Sequence, residues 1–278
     1  MTRRTPSFRS LASTVADAWI GGGWHTALGA AGLAVDAGVR FGDGGRQTAA
    51  FAALAGGGTL TLYGGRYALS TLLGGAGERE EALRRSAPFA RLSWIAGILL
   101  SGFGIMSLPA IFTLWSGVWG LAGLAYCYPL LGRAWREYGM LKPFLLALCW
   151  SAITCGPPVH PDWYYFFAAR SLWLSGLCLA FDWKDVDKDR ARGVRTPAGA
   201  WTPALFWGAV LFGLVAGLVG KLLLVPPRLR GPVAVAWLVS LLMLARIRRS
   251  RSTRDWVTWG DGMMIVYALV PLAALIFG

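Results

Sequence analysis

The chain has 278 residues, of which 55% are hydrophobic and 15% are charged, whereas soluble domains average about 45 to 50% apolar and about 25% charged residues. This composition, with a mean hydropathy of +0.51, argues against a soluble protein. Lys and Arg number 27 against 14 Asp and Glu, an excess also found in nucleic-acid-binding proteins, but 15 Trp and long apolar runs cannot be left in water. The basic excess therefore indicates membrane topology, and we expect no nucleic-acid partner.

Apolar runs separated by charged residues or prolines predict nine membrane-spanning helices. At about 20 residues per crossing, the chain has room for roughly nine or ten such helices with short loops. The predicted spans are residues 14–38, 47–74, 91–108, 110–128, 141–157, 162–181, 200–224, 231–246 and 257–277. The first two are rich in Gly and Ala, which suits helices that pack closely. We expect an all-α, polytopic membrane protein, one domain over residues 1–278, with a polar cavity that faces the cytoplasm.

The distribution of Lys and Arg among the loops predicts the orientation, because cytoplasmic loops hold most of these residues. With the N-terminus inside, the inside segments hold 20 cations and the outside loops hold five. The five outside cations are Arg40, Arg46, Lys221, Arg228 and Arg230. We expect an integral protein of a bacterial inner (cell) membrane with a cytoplasmic N-terminus, and any chemistry on the cytoplasmic side.

Three polar residues within the predicted spans are weaker signals. His25 and Asp36 lie on a similar face of the first span, where we expect hydrogen bonds between helices rather than catalysis. Arg170 lies inside the sixth span, about three turns before Asp182, and we expect it to have a structural ion pair.

The segment that begins at Asp182, where the sixth span ends, carries the most chemical information. Asp182, Asp185 and Asp189 have the spacing i, i+3, i+7, which places them on one face of a helix, while Asp187 points elsewhere. Such carboxylates repel one another unless a cation neutralises them, and Mg²⁺ is usually held by one or two carboxylates plus substrate phosphates. A solvated loop of mixed charges accounts equally well for the spacing, because basic residues alternate with the aspartates.

Three stretches of the chain resemble the UbiA superfamily of intramembrane prenyltransferases. The run D-W-K-D-V-D-K-D-R-A-R-G-V-R-T-P from Asp182 is similar to the family's second Asp-rich motif, D-x-x-D-x-x-x-D followed by a basic residue, Gly and Thr. Residues 126–142 resemble the family's connection between its fourth and fifth helices, with Tyr-x-x-Pro at the start and a Lys before the next helix. Asp261 and Gly262 resemble an Asp-Gly pair in the family's last span. The resemblance covers essentially the whole chain.

The resemblance implies a function and a set of site residues. Members of the family transfer a polyprenyl group from its diphosphate to an aromatic or other lipid-phase acceptor, with Mg²⁺ between the diphosphate and two Asp-rich motifs. By resemblance, Asp182, Asp185 and Asp189 would hold Mg²⁺. Metal and basic side chains would stabilise the negative charge that develops on the leaving diphosphate. The basic residues expected to bind the diphosphate are Arg66, Arg133, Arg136 and Lys142. The expected partners are the lipid bilayer, a prenyl diphosphate and a lipophilic acceptor.

The family's first Asp-rich motif is missing from this chain. In the family, N-D-x-x-D-x-x-x-D lies at the cytoplasmic end of the second helix, but no carboxylate occurs here between Asp43 and Glu78, and Arg66 falls in that region. An Arg inside a span usually faces an interior cavity and has a partner. We expect Arg66 either to pair with the second-motif carboxylates or a phosphate, or to extend to the membrane interface.

Two hypotheses from different classes follow from this departure. The leading one is a UbiA-like membrane prenyltransferase, and the alternative is a non-catalytic UbiA-like protein that binds lipid or diphosphate or acts as a scaffold. A CDP-alcohol phosphotransferase is disfavoured, because nothing before Asp182 supplies its D-x-x-D-G-x-x-A-R pattern. A transporter fits the hydropathy, but the sequence has no corresponding pair of broken helices.

The loop charges generate a test of the orientation. In a variant without the native cysteines, Arg192→Cys is expected to react with a membrane-impermeant maleimide only from the cytoplasmic side, and Arg228→Cys only from the opposite side. The measurement is labelling of intact cells against labelling of inverted membrane vesicles. Labelling of Arg192→Cys in intact cells would contradict the orientation.

Overall fold

A computed structural model describes residues 23–41, 45–72, 87–127, 134–250, 252 and 255–277. At several helix ends, residues 66–72 among them, it describes the backbone alone. The described residues contain α-helices and no strand. The predicted all-α class is therefore confirmed.

Ten α-helices occupy the described residues, and each of the nine predicted spans overlaps one of them. They are α1 (Trp24–Phe41), α2 (Gly45–Leu72), α3 (Ala87–Ser107), α4 (Ala110–Cys127), α5 (Lys142–Cys155), α6 (Trp163–Ala191), α7 (Pro197–Ala200), α8 (Pro203–Leu224), α9 (Pro227–Ile247) and α10 (Gly262–Phe277). A short 3₁₀ helix, Trp135–Glu137, precedes α5, and a π-helical segment, Trp256–Asp261, precedes α10.

Two of the described helices, α8 and α9, are long and apolar enough to cross a membrane. The apolar parts of α3, α4 and α5 are shorter, at Arg91–Ser107, Ala110–Tyr126 and Lys142–Cys155. Several helices nevertheless carry large apolar side chains on their outer surfaces, which is the pattern that a lipid-facing surface requires. Examples are Leu99, Met106, Leu114, Phe212 and Leu223. The structure thus gives an all-α chain with two candidate membrane-crossing helices.

Glycines allow the closest helix contacts. A Cβ atom on Gly57 of α2 would lie 2.7 Å from the backbone nitrogen of Ser101 in α3. Likewise, a Cβ atom on Gly213 of α8 would lie 2.8 Å from the backbone nitrogen of Gly176 in α6. Distances this short exclude any side chain, so the helix backbones approach each other directly. This confirms the expectation that the Gly-rich second span packs closely.

A buried ionic network joins the middle of the bundle; we call Asp36, Arg170 and Lys221 the charge network. One carboxylate oxygen of Asp36 in α1 accepts hydrogen bonds from Arg170 of α6 at 2.7 Å and from Lys221 of α8 at 3.0 Å. The Arg170 guanidinium also donates to the carbonyl oxygens of Leu33 in α1 and Thr154 in α5, at 2.9 and 2.8 Å. These contacts fix four helices around one carboxylate, since a charge buried without a partner is strongly unfavourable.

The charge network confirms one prediction and corrects another. Arg170 has the structural ion pair that was expected of it, and Asp36 hydrogen-bonds across helices as predicted. The assignment of Lys221 to an outside loop is wrong, because this residue lies within α8 and is 1% exposed. Its ammonium contacts Asp36 and lies 3.8 Å from the centre of the Tyr267 ring of α10, so its charge is met inside the bundle. Four of the five supposed outside cations remain, and the loop asymmetry persists.

The charge network predicts that Asp36→Asn destabilises the protein much more than Asp162→Asn does. Asp36→Asn leaves two buried cations without their carboxylate, and we expect a loss of about 3 to 5 kcal/mol in unfolding free energy. Asp162→Asn is the matched control, since that side chain is 51% exposed and is expected to change stability by less than about 0.5 kcal/mol. The measurement is unfolding in detergent, and equal stability of the two variants would refute the role given to the network.

Candidate functional site

The Asp-rich segment forms the last turns of α6, which continues past the predicted span end to Ala191. The helix ends at a glycine with a left-handed conformation, Gly193, with φ of 70°. The N–H of Gly193 donates to the carbonyl of Arg190 at 3.0 Å, and the N–H of Val194 donates to that of Asp189 at 2.9 Å. This pair of bonds is the Schellman arrangement, which a glycine favours. The segment is therefore helical, and the loop alternative is not what the structure shows.

Asp182 and Asp189 converge on one cation; we call these two residues the carboxylate pair. The ammonium nitrogen of Lys142, the first residue of α5, lies 2.9 Å from an oxygen of Asp182 and 3.1 Å from an oxygen of Asp189. The three side chains are 17%, 4% and 13% exposed in the order Lys142, Asp182 and Asp189. The predicted diphosphate-binding lysine therefore lies directly on two of the predicted metal ligands.

The other two aspartates of the segment lie apart from the carboxylate pair. Asp185, the third predicted metal ligand, pairs with its neighbour Lys184. Asp187 is exposed, and its carboxylate lies 3.7 Å from the Arg190 guanidinium. Among the described residues, no group of three His, Cys, Asp or Glu side chains is arranged to hold a metal ion. Asp182 and Asp189, seven positions apart, therefore lie together on Lys142, whereas Asp185 pairs with Lys184.

Residues 134–141, the connector, place Lys142 beside α6. A Cβ atom on Gly139 would overlap the carbonyl group of Arg195, in the loop after α6, so the two backbones touch. Arg136, a predicted diphosphate ligand, belongs to the 3₁₀ helix within this connector. Arg133, another predicted ligand, lies outside the described residues. The close approach at Gly139 explains how residues 40 positions apart in the sequence meet at one site.

Burial has the largest effect on the pKa of the Asp182 carboxyl group. Removal from water raises the pKa of its carboxyl group to about 6, although the Lys142 ammonium opposes that rise. The neighbouring carboxylates of Asp189 and Asp185 act in the same direction as burial. One oxygen of Asp182 is buried without a hydrogen-bond partner. Two converging carboxylates and an unused oxygen suit one hard cation, and Lys142 supplies the cation in this arrangement.

The last span reaches the same end of the bundle. Asp261, of the predicted Asp-Gly pair, accepts a hydrogen bond from the Thr26 hydroxyl of α1 at 2.7 Å. Gly260 contacts the ring of Phe181, the residue before Asp182. Three regions far apart in the sequence therefore meet here: the start of α1, the Asp-rich end of α6 and the π-helical segment before α10.

Arg66 is part of α2, where the structure describes its backbone but not its side chain. Tyr63, less than one turn earlier, packs against Gly23 just before α1. This contact places that part of α2 at the end of the bundle where α1 begins, which is also the end that holds Thr26 and Asp261. The pairing of Arg66 with the carboxylate pair stays a prediction.

A pocket lies at the opposite end of the bundle from the carboxylate pair. Its lining is mostly apolar and includes Phe41, Phe51, Phe112, Cys155 and Val159. Cys155 is the last residue of α5, whereas Lys142 is the first. The polar cavity that the sequence predicted on the cytoplasmic side is thus not the pocket found here.

No protein-family model and no curated protein matches the chain. The resemblance to the UbiA superfamily therefore rests on the residues quoted from the sequence.

The close approach of Gly139 to Arg195 predicts that alanine at position 139 destabilises the protein. Gly139→Ala puts a methyl group into the backbone of Arg195, and we expect a loss of about 1 to 3 kcal/mol in unfolding free energy. Gly208→Ala in α8 is the control, because nothing lies within 4 Å of its Cβ position, and a helical Gly to Ala change is expected to stabilise by about 0.5 to 1 kcal/mol. Thermal unfolding in detergent measures both. A Gly139→Ala variant as stable as the parent would contradict the close approach.

Proposed function

We propose that the chain is a UbiA-like membrane prenyltransferase, which binds a prenyl diphosphate beside the carboxylate pair and transfers its polyprenyl group to an aromatic or other lipid-phase acceptor. The observation that carries the proposal is the contact of Lys142 with both Asp182 and Asp189. The family resemblance assigned these three residues to one site from two separate stretches of sequence. Their contact in the fold supports that assignment, because residues that form one site must lie close together in space.

The chemistry requires positive charge around a leaving diphosphate. Asp182 and Asp189 are the residues that would hold Mg²⁺, which when bound supplies positive charge to the phosphate oxygens. Lys142 adds a mobile point charge, and Arg136 of the connector offers a planar fork that can contact two phosphate oxygens together. The partly buried position of the carboxylate pair strengthens such charge interactions relative to bulk water.

A membrane setting is part of the proposal. We propose nine spans in a bacterial inner membrane with a cytoplasmic N-terminus. In support, each predicted span overlaps an α-helix of the structure, and several helices turn large apolar side chains outward. The loop charges favour the orientation that places the carboxylate pair at the cytoplasmic end.

A second candidate is a non-catalytic protein that binds lipid or diphosphate or acts as a scaffold. Two observations favour it. The region of α2 that would carry the first Asp-rich motif has no carboxylate, and Lys142 already neutralises part of the carboxylate pair. Such a protein retains the binding site but does not transfer the prenyl group.

The proposal predicts that Asp189 is required for diphosphate binding and that the nearby Asp187 is not. With Mg²⁺ present, Asp189→Asn is expected to weaken binding of geranylgeranyl diphosphate by tenfold to a hundredfold, about the effect of losing one charged hydrogen bond. Asp187→Asn is the matched control, because that side chain lies on the same helix but is 72% exposed and outside the pair. The measurement is calorimetry on the purified protein in detergent.

The same preparations separate the two candidate functions. Release of pyrophosphate, with a membrane lipid extract as the source of acceptor, supports the enzyme. Binding that depends on Asp189 without any release supports the non-catalytic protein. If Asp189→Asn and Asp187→Asn bind equally well, or if the parent does not bind, the proposed site is wrong.

A further inference from the structure

We propose that Lys142 is a displaceable internal cation, which holds the carboxylate pair while the site is empty and moves to the diphosphate when metal and diphosphate enter together. This rests on the proposed function for the identity of the diphosphate. The competition between the lysine and a metal rests on the contacts alone. The consequence is that the chain binds a divalent metal weakly unless diphosphate is also present.

The Lys142 ammonium and a metal held by the carboxylate pair need the same position. The Lys142 nitrogen lies within 3.1 Å of one oxygen from each member of the carboxylate pair. A divalent ion held by the carboxylate pair would draw on these oxygens too, because carboxylate oxygens are the ligands that Mg²⁺ takes in proteins. An ammonium and a metal ion cannot share that position, since both are positive and compete for the same lone pairs.

The charges around the carboxylate pair favour the entry of metal and diphosphate together. The carboxylate pair carries two negative charges and Lys142 one positive charge, while Asp185 is neutralised separately by Lys184. Binding of a divalent metal alone leaves the ammonium beside a neutralised pair, which is unfavourable in a partly buried site. A diphosphate that arrives with the metal gives the ammonium new anionic partners, so the lysine leaves one set of oxygens for another.

Lys142 can move without disturbing the fold. It is the first residue of α5, its side chain is 17% exposed, and a lysine swings its charge on a flexible four-carbon stem. The charge network differs in this respect. Arg170 there is buried and holds fixed backbone carbonyls as well as Asp36, so no similar release is available to it.

The test measures the affinity for metal without diphosphate. Lys142→Met is expected to bind Mn²⁺, used as the probe, about tenfold more tightly than the parent, because an internal competitor is gone. At saturating Mn²⁺ the same variant is expected to bind inorganic pyrophosphate about tenfold more weakly. Lys188→Met is the control, since it removes the same charge from an exposed position of α6 that does not contact the carboxylate pair. A lysine that is only a diphosphate ligand leaves the affinity for Mn²⁺ alone unchanged, and that result would overturn the proposal.

A second measurement uses the unaltered protein and decides the matter if Lys142→Met does not fold. Reaction of Lys142 with an amine-reactive reagent is followed by mass spectrometry, with Lys188 as the internal reference. Saturating Mg²⁺ alone is expected to raise modification of Lys142 severalfold, and pyrophosphate added with Mg²⁺ is expected to lower it again. Unchanged modification of Lys142 on addition of Mg²⁺ refutes the displacement.

The outcomes also separate this inference from the proposed function. A gain in Mn²⁺ affinity for Lys142→Met, without any response to pyrophosphate, supports the displaceable lysine and refutes the proposed diphosphate site. Pyrophosphate binding that depends on Asp189, with no gain in Mn²⁺ affinity for Lys142→Met, supports the site and overturns the displaceable lysine.

Discussion

A charge inside an apolar helical bundle is stable only where an opposite charge meets it, and α6 satisfies this constraint twice along its length. Arg170 meets Asp36 in the middle of the bundle, and Asp182 meets Lys142 at its end. The two positions are about 18 Å apart along the helix, given the rise per residue of an α-helix. Because Arg170 is held by α1 and α5 as well, it fixes both the rotation and the depth of α6. The position of the carboxylate pair depends on that anchoring.

The two charge clusters differ in how their cations are held. Arg170 donates to a carboxylate and to backbone carbonyls that cannot leave, and Lys221 is enclosed between Asp36 and Tyr267. Lys142 has only side-chain carboxylates as described charge partners, and it retains contact with solvent. A buried network with rigid partners stabilises a fold in one arrangement, whereas a single flexible lysine at a helix start can exchange partners. The difference is consistent with a structural role for the first cluster and with the proposed binding role for the second.

The sequence predicted the helices well, because apolar runs bounded by charges or prolines report burial directly. The spacing of Asp182 and Asp189 placed them on one face of a helix, and the structure brings them onto one cation. The sequence did not predict that Asp185 would pair with Lys184, since several interleaved cations offered equivalent partners. Nor could it predict the contact of Lys221 with Asp36, 185 positions away in the chain. Helical periodicity identifies a buried face, but the choice of partner depends on how the helices are arranged in space.

The extension of α6 beyond the predicted span has a physical reason that hydropathy misses. Residues after Asp182 are mostly charged, so a search for apolar runs ends there, yet Trp183 stacks on Phe206 of α8 and Val186 is buried. One face of these turns therefore packs on apolar neighbours while the carboxylates occupy another, and packing rather than mean hydropathy keeps the segment helical.

In the proposed UbiA-like site, the absence of a first Asp-rich motif and the contact of Lys142 with the Asp-rich segment of α6 are related through charge. A site with carboxylates on two helices needs metal ions to bring a diphosphate near so much negative charge. Here α2 contributes no carboxylate in that region, and one lysine already offsets part of the charge on the carboxylate pair. Fewer metal charges are then needed to balance the same diphosphate, because the protein's own cations supply part of the compensation. The proposed site would therefore use side-chain charge where a UbiA-like site uses metal charge, with Lys142 as the cation that the structure places on the carboxylate pair.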